Sequence, residues 1–159
     1  MTVRVGTAPS GVVCGLVADD ADAAEHHRIR RAVFVSEQGI FTDSDLDAHD
    51  ARGDVLRVVA RVQGRAAGTV RLFPLDPGSG TWQGDRLAVL AGYRTAGVGA
   101  PLVRFAVETA SAHGGSRMVA HVQLANRRFF ERLGWTVGTT EVYAGRPHVS
   151  MSIALGGSR

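Results

Sequence analysis

The chain has no lysine. All 18 of its basic residues are arginine, set against 15 acids in 159 residues. A Walker-type nucleotide loop needs a Gly-Lys-Ser/Thr step, so that class of site is excluded. A single cysteine, Cys14, rules out an internal disulfide and suits a reducing compartment. No apolar run approaches the roughly 20 residues that a membrane-spanning helix requires. The N-terminus lacks a basic segment leading into an apolar stretch, so a cytoplasmic protein with no membrane partner is expected. The arginines do not cluster with interleaved aromatics, which argues against nucleic acid as a partner. What remains is an ordinary composition, with 45% hydrophobic and 21% charged residues. It predicts one globular domain able to bury a core.

The formal charge is only +3 despite a calculated pI near 10.0, because the basic side chains are all arginine. Charge is unevenly placed: ten of the acids lie between Asp19 and Asp54, while arginines run through the later chain. This suits a cationic substrate on one side and an anionic ligand on the other, or simply two solvated faces.

Residues 1–10 read as a loose start, 11–155 as the folded domain, and 156–159 as a flexible tail. Val12 to Ala18 reads as a strand. Asp22 and Glu25 suggest a capping box for a helix running to about Glu37. Gly39 to Gly53 reads as a polar loop. Strands are predicted at Leu56–Val62, Ala67–Phe73 and Trp82–Leu90, the first two joined by a hairpin at Gly64-Arg65. A strongly apolar helix follows, with Val98, Leu102, Ala106 and Ala110 spaced four apart and Pro101 tolerated in the first turn. After Gly114-Gly115 come a fifth strand over Met118–Gln123, a short helix over Asn126–Leu133, and closing strands at Thr136–Tyr143 and Pro147–Leu155.

The segment Leu87 to Ala100, LAVLAGYRTAGVGA, carries the chemistry. A strand, a glycine loop and a helix N-terminus make a phosphate cradle, in which backbone N–H groups and the positive helix end face an anion. A dinucleotide loop needs a third glycine, and Leu102 stands in its place. The remaining pattern, Arg94-Thr95-Ala96-Gly97-Val98-Gly99, resembles the coenzyme A loop of the GNAT superfamily of N-acetyltransferases.

The order of elements is similar to that superfamily over most of the chain, and Phe129-Phe130-Glu131-Arg132-Leu133-Gly134-Trp135 looks like its Phe-Tyr-x-x-x-Gly-Phe segment. Arg30 to Gln38, Glu141-Val142-Tyr143 and Pro147-His148 resemble the ElaA-like branch and GNAT proteins encoded near nitrilase-type gene clusters. The resemblance implies an α/β (α+β) GNAT fold. Its central sheet would be mixed, mostly antiparallel and twisted, with six to seven strands, flanking helices and a splayed pair formed by the fourth and fifth strands. It implies acetyl-CoA as co-substrate, no metal, and direct attack of a small amine on the thioester.

By the same resemblance, coenzyme A would meet Leu87, Ala88 and Val89, the loop Arg94, Thr95, Ala96, Gly97, Val98, Gly99 and Ala100, and then Gln123, Asn126 and Phe129. An N–H near Val89 or Leu90 would stabilise the oxyanion. Asn126 is equally suited to capping a helix. The superfamily's usual acid is a tyrosine, and Phe130 stands in that slot. Tyr143 or a water would have to replace it, or no acid is used. Candidate bases are Glu37, which is equally placed to be a solvated helix end, and His121, whose type suits proton transfer near neutrality.

Phe34 and His148 are candidate substrate contacts, and Asp45 and Asp47 are expected to attract a positively charged amine. The acidic run Asp43, Asp45, Asp47, His49, Asp50 and Asp54 has the spacing of a calcium loop. Ala48 replaces its required glycine and Asp54 its bidentate glutamate, so no metal is expected. Two other readings stand beside acetyl transfer: an acyl-homoserine-lactone-synthase-like acyltransferase, and a non-catalytic acyl-CoA-binding sensor. A homodimer is compatible with all three.

Overall fold

The computed structural model describes residues 5–7, 11–76, 78–143 and 145–156. Strands β1 (Val5–Thr7), β2 (Val12–Leu16), β3 (Leu56–Val62), β4 (Arg65–Asp76) and β5 (Thr81–Val89) form an antiparallel run. β6 (Arg117–Gln123) joins β5 in parallel, and β8 (Arg146–Ala154) lies between β6 and β7 (Thr136–Tyr143). The sheet order is thus β1-β2-β3-β4-β5-β6-β8-β7. The expected mixed architecture is present, with eight strands rather than six or seven. The extra strand is Val5–Thr7, which pairs with Val13–Gly15 inside the stretch expected to be loose. The remainder of that start, and 157–159 of the expected tail, lie outside the described residues.

Helix α1 (Asp20–Arg30) is capped one turn earlier than the sequence suggested. The Asp19 carboxylate accepts from the Asp22 N–H at 2.8 Å, and Asp22 in turn accepts from the Ala18 N–H at 3.1 Å. Such caps contribute about 1 kcal/mol. Asp22 and Glu25, the expected box, instead each accept from Arg61 at 2.9 Å. The helix continues as a wider π-turn over Arg31–Glu37, the predicted end. Helix α2 (Gly99–Ala112) crosses the opposite face, and Leu102, Ala106 and Ala110 on its apolar stripe are almost fully buried. Helix α3 (Arg127–Arg132) stops at Gly134, whose φ of 94° few other residues adopt.

The two faces of the sheet hold separate cores. β2 to β6, β8 and α2 enclose the larger, while Ile29, Val33, Phe34, Val59, Ala66 and Ala88 pack under α1. In β5, Leu87 and Val89 belong to the first and Ala88 to the second, the alternation of a strand buried on both sides.

That alternation breaks at one point. Thr69 pairs with Ala88 but Arg71 with Asp85, so Val70 faces two residues, Arg86 and Leu87. This is a β-bulge, and Arg86 sits in it with φ of 52°. A left-handed non-glycine residue costs roughly 1–2 kcal/mol. The Thr69 hydroxyl donates to the Arg86 carbonyl at 3.0 Å and holds the distortion. The bulge has a consequence for side chains: Asp85 and Arg86, though consecutive, both reach the acidic loop's ion pairs.

Candidate active site

β5 and β6 pair only at Thr81–Gln83 with Arg117–Val119. Beyond Gln83 they separate, and a pocket passes through the sheet between them. One end is lined from α2 and α3 by Val103, Ala106 and Phe130, and the other by Phe34, Ile40 and Phe41 with His121 and Tyr143. β6 alternates across the gap: Ala120 and Val122 face the larger core, whereas His121 and Gln123 take the other face. Leu90 donates its N–H to Ala67 of β4 at 2.9 Å. Successive strand amides point in opposite directions, so the N–H and carbonyl of Val89 face the gap. Of the two expected oxyanion donors, Leu90 is therefore already engaged and Val89 is not committed to β4.

After β5 the chain forms a 3₁₀ turn over Ala91–Ala96, and Gly97 adopts φ of 70°. That left-handed conformation is what glycine supplies. Gly99 is glycine for a different reason: a Cβ there would lie 3.2 Å from Cζ of Phe129. No side chain caps the N-terminus of α2, and Pro101 brings no N–H of its own. The Gly99 and Ala100 amides therefore lack a side-chain cap, at the positive end of a 14-residue helix. Val98 is 1% exposed, so its side chain belongs to the core and only its backbone can face a ligand. The same holds for Ala88 at 2%.

Arg94 is already occupied. Its Nε and Nη2 donate to the Val89 carbonyl at 3.1 and 3.0 Å, and both Nη atoms donate to the Glu37 carboxylate. The hydrogen bonds from Arg94 hold the Glu37 carboxyl below the usual carboxylate range. Glu37 also lies outside the pocket lining. The expectation that it faces the amine as a base is corrected: Glu37 lies beside the glycine loop, outside that lining, where it pairs with Arg94.

His121, Tyr143 and His148 do converge on the pocket. Nδ1 of His121 is 2.5 Å from a Glu141 carboxylate oxygen, and the His121 ring lies parallel to Tyr143, centroids 4.6 Å apart at 6°. Glu141 reaches across β8, since His121 is opposite Ser150 and Glu141 opposite His148. His148 is buried, with Nδ1 2.8 Å from the Arg146 carbonyl, and packs edge-on to Tyr143. Gln123 donates to the Gln38 side chain at 3.3 Å. Asn126 lines the pocket and precedes α3, but makes no side-chain capping bond, so the capping account of it is not what the structure shows.

The acidic loop is neither a solvated tail of charge nor an open cation trap. Asp45 is 3% exposed, and its carboxylate accepts from Nε of Arg30 at 2.7 Å and Nε of Arg86 at 3.0 Å. Asp47 accepts from Arg71 at 2.7 Å and from Arg86 at 3.1 Å. Asp50 takes both Nη atoms of Arg30 at 2.8 and 2.9 Å. Burial opposes the charge on Asp50 and Asp47, but the hydrogen bonds from Arg30 and Arg71 outweigh it and hold both carboxyls low. Burial likewise opposes the charge on Arg71, and bonds to Asp85 and Asp47 overcome it. The expected attraction of a cationic amine by Asp45 and Asp47 is thereby corrected: both carboxylates are paired with buried arginines and neither lines the pocket.

Sequence reasoning passed over Glu141, Asp85 and Arg86. Glu141 stood in a noted segment without a role. Asp85-Arg86 carried a usable signal, two adjacent charges inside a buried strand, which marks a bulge. Among the described residues, no group of three or more His, Cys, Asp or Glu side chains is placed to hold a metal ion.

Residues 19–135 match the model of the acetyltransferase (GNAT) family. A Bacillus subtilis (strain 168) protein with an acetyltransferase name is 30% identical over 138 residues, covering 86% of this chain and 92% of that protein. A Lactobacillus plantarum crystal structure described as an N-acetyltransferase superposes with TM-score 0.80 at 28% identity, covering 91% of this chain and 99% of the other. Escherichia coli ElaA (TM-score 0.76, 20% identity, covering 95% and 99%) shares the fold. So does an aminoglycoside 6'-N-acetyltransferase complexed with coenzyme A (TM-score 0.73, 15% identity, covering 89% and 96%). The chain belongs to the GNAT acetyltransferase family.

Proposed function

Taking that membership as the premise, we propose that the chain transfers an acetyl group from acetyl-CoA to the amine of a small molecule, by direct attack within a ternary complex. The observation that carries this reading is the gap between β5 and β6, with an uncapped helix N-terminus on one side and a histidine–carboxylate pair on the other.

The diphosphate of the co-substrate sits on the amides of Gly97, Gly99 and Ala100, where the α2 dipole favours negative charge. Arg94 turns from Glu37 to the same anion. The pantetheine arm runs along the free edge of β5 past Leu87 and Val89, and the Val89 N–H receives the thioester oxygen as it becomes an oxyanion. Phe129 packs against Gly99 and shapes the entrance.

An alkylammonium with pKa of about 10 must lose its proton before it can attack. His121 takes it on Nε2. Glu141 accepts the Nδ1 proton, which fixes the tautomer and leaves Nε2 as the acceptor. Glu141 is thus a positioning residue, and Tyr143 holds the ring plane by stacking. The nitrogen lone pair forms the new bond to the acyl carbon. Collapse of the oxyanion breaks the carbon–sulfur bond and releases a thiolate whose parent thiol has a pKa of about 8.5. Such a leaving group does not require an acid, which suits phenylalanine at position 130. The segments Arg30 to Gln38 and Glu141 to Tyr143 support placement near the ElaA-like branch.

The test is thiol release from acetyl-CoA against an amine library, with calorimetry of coenzyme binding. His121→Ala is expected to lower kcat by about 10²–10⁴-fold, the usual contribution of a positioned base, while coenzyme affinity holds. Folded protein that ignores coenzyme A would overturn the reading.

A further inference from the structure

We infer that the acceptor is a monoamine carried on an aromatic body by a short alkyl arm, and that diamines and polyamines are poor acceptors. This rests on the reading of the pocket as the acceptor site and adds the chemical class it selects.

Two features of the pocket lead there. First, its lining on the α1 side is rich in rings and apolar groups. Phe34, Ile40 and Phe41 line it together with the stacked pair of His121 and Tyr143. Such a lining rewards an aromatic body, which offers stacking and edge-to-face contacts that a flexible chain cannot.

Second, the pocket has no free negative charge for a second ammonium. Among the described lining residues the only carboxylate is Asp85. Its two oxygens each accept from Arg71 at 2.7 Å, and Gln83 adds a third bond at 3.1 Å. Asp45 and Asp47 are held by Arg30, Arg71 and Arg86, and Glu37 lies outside the lining. The Arg86 guanidinium, 4.6 Å from the Phe41 ring centroid, also lines the pocket but is itself bonded to Asp45 and Asp47, so an ammonium bound there loses its water without gaining a free counter-charge. The reacting amine escapes this penalty, because it gives up its proton before attack. A second ammonium keeps its charge and finds no unpaired carboxylate among the described lining residues.

The test uses the whole chain at saturating acetyl-CoA, comparing 2-phenylethylamine with 1,4-diaminobutane and spermidine. We expect kcat/KM for the phenyl compound to exceed both by at least tenfold. Ile40→Asp, which places a carboxylate on the apolar wall, is expected to narrow that ratio by raising turnover of the diamine. Equal or better turnover of diaminobutane or spermidine by the native chain overturns the inference while leaving acetyl transfer intact. Absence of thiol release with every amine sinks the broader reading instead. Calorimetry with coenzyme A present then decides the class without chemistry. Binding of phenylethylamine in preference to the diamine supports the inference, and the reverse order, or no binding of either, overturns it.

Discussion

Asp45→Asn removes one negative charge from the centre of the ion-pair network and changes almost nothing in shape. In the native chain the Asp45 carboxylate bonds Arg30 at 2.7 Å and Arg86 at 3.0 Å, with both arginines and Asp45 almost fully buried. Arg30 keeps two bonds to Asp50 after the change, whereas Arg86 is left with the Asp45 carbonyl and one bond to Asp47 at 3.1 Å. Breaking a buried pair by neutralising one member costs about 3–5 kcal/mol. The surviving bonds on Arg30 place the expected loss near the lower end, about 3 kcal/mol. For a chain of this size that is a fall of roughly 6–12 °C in Tm. The effect should also reach turnover, because Arg86 sits in the β5 bulge and lines the pocket. Calorimetric melting at pH 7 and acetyl-CoA turnover are the assays. A double cycle with Arg86→Met should show strong non-additivity, as expected for groups in direct contact. A change in Tm under about 2 °C, where roughly 2–4 °C per kcal/mol is expected, or additive effects in the cycle, would refute the claim that Asp45 holds Arg86 in place.

Three further outcomes follow from the same geometry. Burial, and then Arg30, push the His26 pKa down to about 3; its ring is neutral in the fold, with Nδ1 3.0 Å from the Val58 carbonyl and Nε2 3.3 Å from Arg30. The unfolded chain protonates this group first, so its contribution to stability is full above pH 6.5 and drains away toward pH 3, at no more than about 1.4 kcal/mol per pH unit; urea melts should show that slope flattening in His26→Gln. Glu37→Gln frees Arg94 from its ion pair, so the Kd for coenzyme A by calorimetry should fall a few-fold at low salt; weaker binding would mean that Glu37 orients Arg94 rather than competing for it. Glu141→Ala should lower kcat with the amine KM nearly unchanged, and nitrogen NMR of His121 should show loss of the Nδ1–H tautomer, whereas Glu141→Gln, which still offers an oxygen to Nδ1, should retain it.

What was legible in the sequence is what is local. The glycine loop could be read because its shape resides in consecutive residues and one left-handed glycine. The strands could be read because burial on both faces leaves continuous apolar runs. The acidic loop could not, because its meaning depends on arginines that the chain brings from elsewhere. Arg71 lies 24 residues from Asp47, and Arg86 lies 41 from Asp45. A run of aspartates reads as solvated until those partners are in place. Glu37 and Arg94 are 57 residues apart, and nothing local in the sequence says that they pair. The histidine–glutamate pair was hidden by topology, since β8 is last in the chain but inserts between β6 and β7 and sets His121 and Glu141 on one face. This difference has a functional consequence. In the proposed site the co-substrate half rests mainly on local backbone amides, with Glu37 on Arg94 and Phe129 against Gly99 as its long-range contacts. The acceptor half is built from long-range pairings, in which Arg71 fixes Asp85, Asp45 fixes Arg86, and Glu141 fixes His121. Changing one charge in that half changes what its partner presents to the pocket, so on the proposed reading acceptor choice shifts while the amides at the start of α2 stay as they are.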